Sequence, residues 1–174
     1  MATIFVIPGK RFESASIKES SGHEFQGAEN MVMIGRKHTG DENGDTYCLF
    51  ATLKAVNSFG VSMMGTIEIV DQQWSDEYKE SDHDYIAPDG YVILGRAHAK
   101  DSDENGKTKY KIGRIKYNGV LTTVVSAQSA APYQEYYESA GVFFSTYPNL
   151  LYIGRRHIGD ENGTTYNYQG VVKT

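Results

Sequence analysis

The sequence predicts an all-β chain built from three copies of one unit of about sixty residues. Three observations predict it. The motif Gly-Arg-x-His occurs as Gly35-Arg36-Lys37-His38, Gly95-Arg96-Ala97-His98 and Gly154-Arg155-Arg156-His157, with its arginines 60 and 59 residues apart. Each copy runs on into Asp-Glu-Asn-Gly, at 41–44, 103–106 and 160–163. Asn-Gly is the strongest short-range hairpin signal, because both central residues of a type I′ turn need positive φ. The segments around these turns are rich in Val, Ile, Thr, Tyr and Phe, and none has a helical period of useful length.

The elements follow in order. Residues 31–34, 91–94 and 150–153 are short apolar runs that read as strands leading into each motif. Residues 46–53, 108–117 and 165–172 read as the return strands of the three hairpins. Residues 3–7, 61–70 and 119–125 read as opening strands, and 75–81 have room for one turn of helix. Thr46, Thr108 and Thr165 each follow the turn glycine by two, and a weaker block, Glu19-Ser20, Glu80-Ser81 and Glu138-Ser139, lies sixteen or seventeen residues before each arginine. The second copy carries two extra residues between His98 and Asp103. One domain of three copies, 1–59, 60–118 and 119–174, can bury its apolar faces by closing around a pseudo-threefold axis. The period exceeds that of a β-trefoil unit, so a β-prism is expected, with the trefoil as the alternative.

Composition excludes several classes. The formal charge is −5, with 17 basic residues among 22 acidic ones, which does not make the basic face that nucleic acid requires. No run approaches the ~18 apolar residues of a membrane-spanning helix. The N-terminal sequence has no basic leader or long apolar run, so synthesis in the cytoplasm is expected, with any outside role reached by a leaderless route. Cys48 is the sole cysteine, so no internal disulfide forms.

Strand alternation sets Ile34, Arg36 and His38 on one face, and likewise Leu94, Arg96, His98 and Ile153, Arg155, His157. Two readings follow. The arginines are ion-paired beside the core, or Arg and His line a pocket next to the turn. Asp before Asn-Gly is ordinary turn chemistry, but a turn does not require both acidic residues in all three copies. Sugar sites draw on a carboxylate and an amide for hydroxyl pairs and on an aromatic ring for the sugar face. Each copy supplies these types: Asp41, Asn43 and Tyr47; Asp103, Asn105 and Tyr110; Asp160, Asn162 and Tyr166. The candidate ligand-binding set is therefore these nine residues with Arg36, His38, Arg96, His98, Arg155 and His157. If a metal binds, Asp41, Glu42, Asp103, Glu104, Asp160 and Glu161 are its candidate ligands, with calcium the ion their oxygens suit, although one loop offers fewer than the six to eight that calcium takes. No other cofactor is expected. His23 matches His83, and His38, His98 and His157 match one another, so a zinc site is a second metal reading, which Val142 weakens by standing near where the third copy would supply its second histidine.

No nucleophile elbow, P-loop or zinc-protease motif is present. Every charged motif appears three times, whereas catalysis uses one asymmetric cluster, so a non-enzymatic multivalent binder is expected, with glycans as its ligand. Recognition of a membrane or protein surface, assisted by calcium, is the alternative. A hydrolase with one working copy, marked by the longer second loop and Trp74, is a third. With its three copies, the chain resembles the three-repeat β-prism lectins. It also resembles the β-prism-type modules at the C-termini of some bacterial perforin-like (MACPF) toxins, which are thought to target membranes. The resemblance covers the whole chain as architecture, transfers no family residue, and implies a module that recognises glycans or another cell-surface ligand.

Overall fold

The computed structural model describes residues 2–40, 44–99, 106–127, 135–137, 140–159 and 163–174, with backbone alone at 20, 135–137 and 140–143. Among these there is no α-helix. The strands of the first copy are β1 (Phe5–Glu13), β2 (Ile17–Lys18), β3 (His23–Gln26), β4 (Met31–Thr39) and β5 (Asp45–Val56). Those of the second are β6 (Ile67–Trp74), β7 (Tyr78–Lys79), β8 (Asp82–Ile86), β9 (Tyr91–His98) and β10 (Lys107–Tyr117). The third supplies β11 (Val120–Leu121), β12 (Thr123–Ser126), β13 (Glu135–Tyr137), β14 (Ala140–Ser145), β15 (Leu151–Ile158) and β16 (Thr164–Lys173). They form two antiparallel sheets.

Each copy keeps one hairpin for itself, β4–β5, β9–β10 and β15–β16, and adds an opening strand to the far edge of that hairpin. β2, β7 and β13 add short pairings at home, and one further strand of each copy pairs with a different copy. β3 of the first copy joins β9 of the second, β8 of the second joins β15 of the third, and β14 of the third joins β4 of the first. The exchange is cyclic. No copy completes its sheet without a neighbour. β1 also pairs with β16 at Phe5–Lys173 and Val6–Val172, which joins the two ends of the chain.

One irregularity recurs in each hairpin. The register shifts by one residue at Ile34, Leu94 and Ile153, a β-bulge just before each Gly-Arg. It overturns the alternation read from sequence. Arg36 lies opposite Cys48 and Arg96 opposite Tyr110, on the side of Met33 and Ile93, whereas Ile34, Leu94 and Ile153 enter a separate core cluster. That cluster draws on all three copies, among them Val6, Val32, Ala51, Val92, Ile115, Leu151 and Val172. Burying each such side chain contributes roughly 1.5–3 kcal/mol.

Two other expectations also change. The strand expected over 61–70 begins only at Ile67, because 61–63 fold back on the end of β5 through Asn57 N–H to Val61 O and Met63 N–H to Ala55 O. The turn of helix expected over 75–81 is absent: the segment holds β7, and the one 3-10 turn is Glu19–Ser21.

The motif glycines have a steric reason. A Cβ on Gly35, Gly95 or Gly154 would be driven into the carbonyl oxygen of Phe144, Phe25 or Tyr85, the residue that faces the neighbouring arginine across the exchanged strand. The obstacle is backbone in all three cases, so it cannot swing aside. Gly95→Ala should therefore destabilise at the upper end of the roughly 1–3 kcal/mol that overpacking costs. Thermal melts should show a Tm lower by about 6–10 °C for a chain of this size. An unchanged Tm would mean that the exchanged strand does not pack as closely as described.

Candidate functional site

The bulge and the exchange together turn the three arginines inward. Arg96 and Arg155 are each 1% exposed, and Arg36 is buried at 6%. A buried guanidinium must be paired, since an isolated ion in the interior costs several kcal/mol. The partners come from the weak upstream block. Glu19 sits in the 3-10 turn before β3, held by its N–H bond to Gly44 O at 3.0 Å, and Glu80 is held in the same way by Gly106 O at 2.9 Å. The last residue of the Asp-Glu-Asn-Gly segment thus fixes the carboxylate that the motif arginine uses.

The result is an alternating chain of charge across all three copies. Arg36 Nη2 lies 3.3 Å from Glu19 Oε1, and Arg96 Nη1 donates to the same oxygen at 2.9 Å. Arg96 Nη2 donates to Glu80 Oε2 at 2.8 Å, and Arg155 Nη1 donates to Glu80 Oε1 at 3.3 Å. Glu138, the third member of that block, lies outside the described residues. Histidines and threonines surround the chain. Arg96 Nη1 donates to His23 Nε2 at 2.8 Å and Arg155 Nη1 to His83 Nε2 at 3.4 Å. His98 and His157 meet Thr108 and Thr165 at 2.9 and 2.7 Å through Nδ1, and Thr108 also bonds Glu80. All five histidines and the three repeated threonines are buried.

These contacts fix the protonation states. Burial would raise the Glu19 and Glu80 pKa values, but Arg96, with Arg36 beside Glu19 and Arg155 beside Glu80, reverses this and holds both well below the usual carboxylate range. Burial and then Arg96 push His23 down to about 3, and burial and then Arg155 push His83 down to about 4. Both imidazoles are neutral at pH 7, as their acceptance of arginine protons requires.

Of the two readings open in the sequence, the three motif arginines take the buried ion-paired one, and the three motif histidines are buried with them rather than open to solvent. Tyr110 is also buried, stacked on Tyr85 at 4.8 Å and bonded to His83 Nε2 at 2.8 Å. It follows Thr108 by two residues, not one, so it faces inward. Tyr47 and Tyr166 follow their threonines by one and lie half-buried on the outer face, where Arg156 stacks over Tyr166. Asp41, Glu42, Asn43, Asp103, Glu104, Asn105, Asp160, Glu161 and Asn162 lie outside the described residues. The sequence gives Glu19, Glu80 and the threonines no role and His23 and His83 only a place in a candidate zinc site. The signal was the near-constant spacing from glutamate to arginine.

Glu19, Glu80 and His98 bring ligand atoms within 4.8 Å of one another. They do not suit a divalent cation. Arg96 already occupies both carboxylates, and a metal there would meet guanidinium groups at close range. Cys48 lies in the same interior, its thiol pushed up to about 12 by burial, so it offers no reactive thiolate. No helix among the described residues is long and apolar enough to cross a membrane. No family model, curated protein or solved structure matches this chain.

The histidines predict an acid-sensitive fold. Their folded pKa values lie below the unfolded value of 6.5, so the unfolded chain binds more protons and stability falls as pH drops from 6.5 towards 4 and 3. The loss between pH 6.5 and 4.5 should be on the order of 3–5 kcal/mol, read as a falling urea midpoint. A His23→Asn, His83→Asn double variant should flatten the curve. A wild-type midpoint constant from pH 7 to 4.5 would contradict the neutral buried imidazoles.

Proposed function

We propose that this chain is a non-enzymatic binding module of β-prism type, with carbohydrate as its ligand class and the three Asp-Glu-Asn-Gly segments as its contact surface. One observation carries the reading. The Arg, His, Thr and Glu of the described repeat are enclosed in the interior, so the reading assigns ligand contact to the repeated Asp and Asn of the loops, which lie outside the described residues. The stems support one shared pole. β5, β10 and β16 all start beside these segments, at Asp45, Lys107 and Thr164, and His38 and His98 both approach Glu19 within 4.0 Å. Three weak sites at one pole would act together on a multivalent glycan. A buried cluster of neutral histidines and paired carboxylates gives a substrate no access, which speaks against catalysis at these residues.

A second reading rests on the opposite end. Phe59 is 89% and Met64 93% exposed, and the backbone of each is hydrogen-bonded. Asn57 Oδ1 accepts the N–H groups of Phe59 and Val61 at 2.9 and 3.0 Å, and Tyr117 donates to Met64 O. Large apolar side chains exposed on a hydrogen-bonded backbone mark an interaction surface, in line with recognition of a membrane or protein.

One experiment separates the two. Wild type, an Asp41→Asn/Asp103→Asn/Asp160→Asn variant and a Phe59→Ser/Met64→Ser variant are run on a glycan array and in vesicle co-sedimentation. Glycan binding by wild type that falls at least about tenfold in the Asp variant, with stability lowered by no more than about 0–1 kcal/mol per substitution, supports the first reading. Vesicle binding lost only in the Phe59/Met64 variant, with no glycan bound, replaces it with the second.

A further inference from the structure

The end of the sheets away from the loops contains a cavity of about 400 Å³, within the range of roughly 300–1,000 Å³ typical of small-molecule sites. Its floor is the outer face of three adjoining strands. The register of β1 and β5 sets Phe5 opposite Val56 and Ile7 opposite Lys54, and Val171 of β16 continues the same surface. Leu150, in the turn before β15, walls one side, and the turn after Val56 walls the other. Ile7, Val56 and Leu150 are buried, so this apolar surface is recessed rather than a flat exposed face.

The mouth has a different character. Lys54 is its one charged group, and Asn57 and Asn149 are its amides. Asn57 commits its Oδ1 to the backbone of its own turn, which leaves the Nδ2 hydrogens as donors. Among the described residues no carboxylate lies within 4.0 Å of the Lys54 ammonium, and no acidic side chain lines the cavity. An apolar trough with one cation and amide donors at its rim selects a molecule with an apolar body and one negative head. A neutral sugar would find too few polar partners, and a cationic amphiphile would be repelled.

We propose that this cavity binds an amphipathic monocarboxylate, with its hydrocarbon body along Phe5, Ile7, Val56 and Val171 and its carboxylate on Lys54. The inference stands apart from the reading of the loop pole, because it uses none of those residues and needs no glycan.

Decanoate, titrated below its micelle concentration and followed by methyl NMR and calorimetry, tests it. Decanoate should bind at one site and shift the methyls of Ile7, Val56 and Val171. Lys54 is exposed, so Lys54→Met should fold normally and weaken decanoate about tenfold, the usual size of one charge-assisted contact. Lys54→Arg should restore most of the affinity, and decylamine should not bind. Failure of decanoate to bind, equal affinity in Lys54→Met, or equal binding of decanol and decanoate would each overturn the proposal.

Discussion

The guanidinium of Arg96, enclosed between Glu19 and Glu80, is the constraint that the rest of the structure satisfies. A buried charge is tolerable only where every neighbour is placed for it, and here the neighbours come from different copies. Glu19 belongs to the first copy, Arg96 and Glu80 to the second, and Arg155 to the third. The exchanged strands bring them together, the motif glycines let those strands approach, and the bulges turn the arginines to the side where the carboxylates lie. The histidines must then stay neutral, since the arginine protons point at them. Apolar burial supplies most of the stabilising free energy. The ion cluster ties residues of all three copies together within it.

The long strands then separate two ends. β5 runs from Asp45 to Val56, β10 from Lys107 to Tyr117 and β16 from Thr164 to Lys173. Each begins beside an Asp-Glu-Asn-Gly segment over the ion cluster. β5 and β10 end beside the turns that carry Phe59 and Val120, and β16 ends beside the N-terminal strand. One end is therefore built on charge and the other is apolar, with Lys54 at the mouth of its cavity.

Much of this was legible in the sequence because it was written three times. The repeat of Gly-Arg-x-His and Asn-Gly located the hairpins, and the apolar runs located their strands, so the all-β class followed directly. Strand exchange was not legible, since a strand that pairs with another copy looks the same in sequence as one that pairs at home. The bulges were missed for a related reason. Simple alternation put Arg36 with Ile34, and one extra residue at Ile34 reversed the face. Glu19 and Glu80 showed only as a weak spacing, because one glutamate per copy makes no motif. Tyr110 was grouped with Tyr47 and Tyr166, and its offset of one residue, visible in the sequence, is what sends it inward.

The most direct measurement of whether the copies are held together by this cluster is a double-mutant cycle across the first and second copies. Glu19→Gln, Arg96→Met and the double variant would be compared with wild type by urea denaturation at pH 7. A shared buried pair predicts single losses of about 3–5 kcal/mol each and a double loss smaller than their sum by about 2 kcal/mol or more. Additive losses within about 0.5 kcal/mol would show that Glu19 and Arg96 act independently, and would contradict a fold organised around their contact.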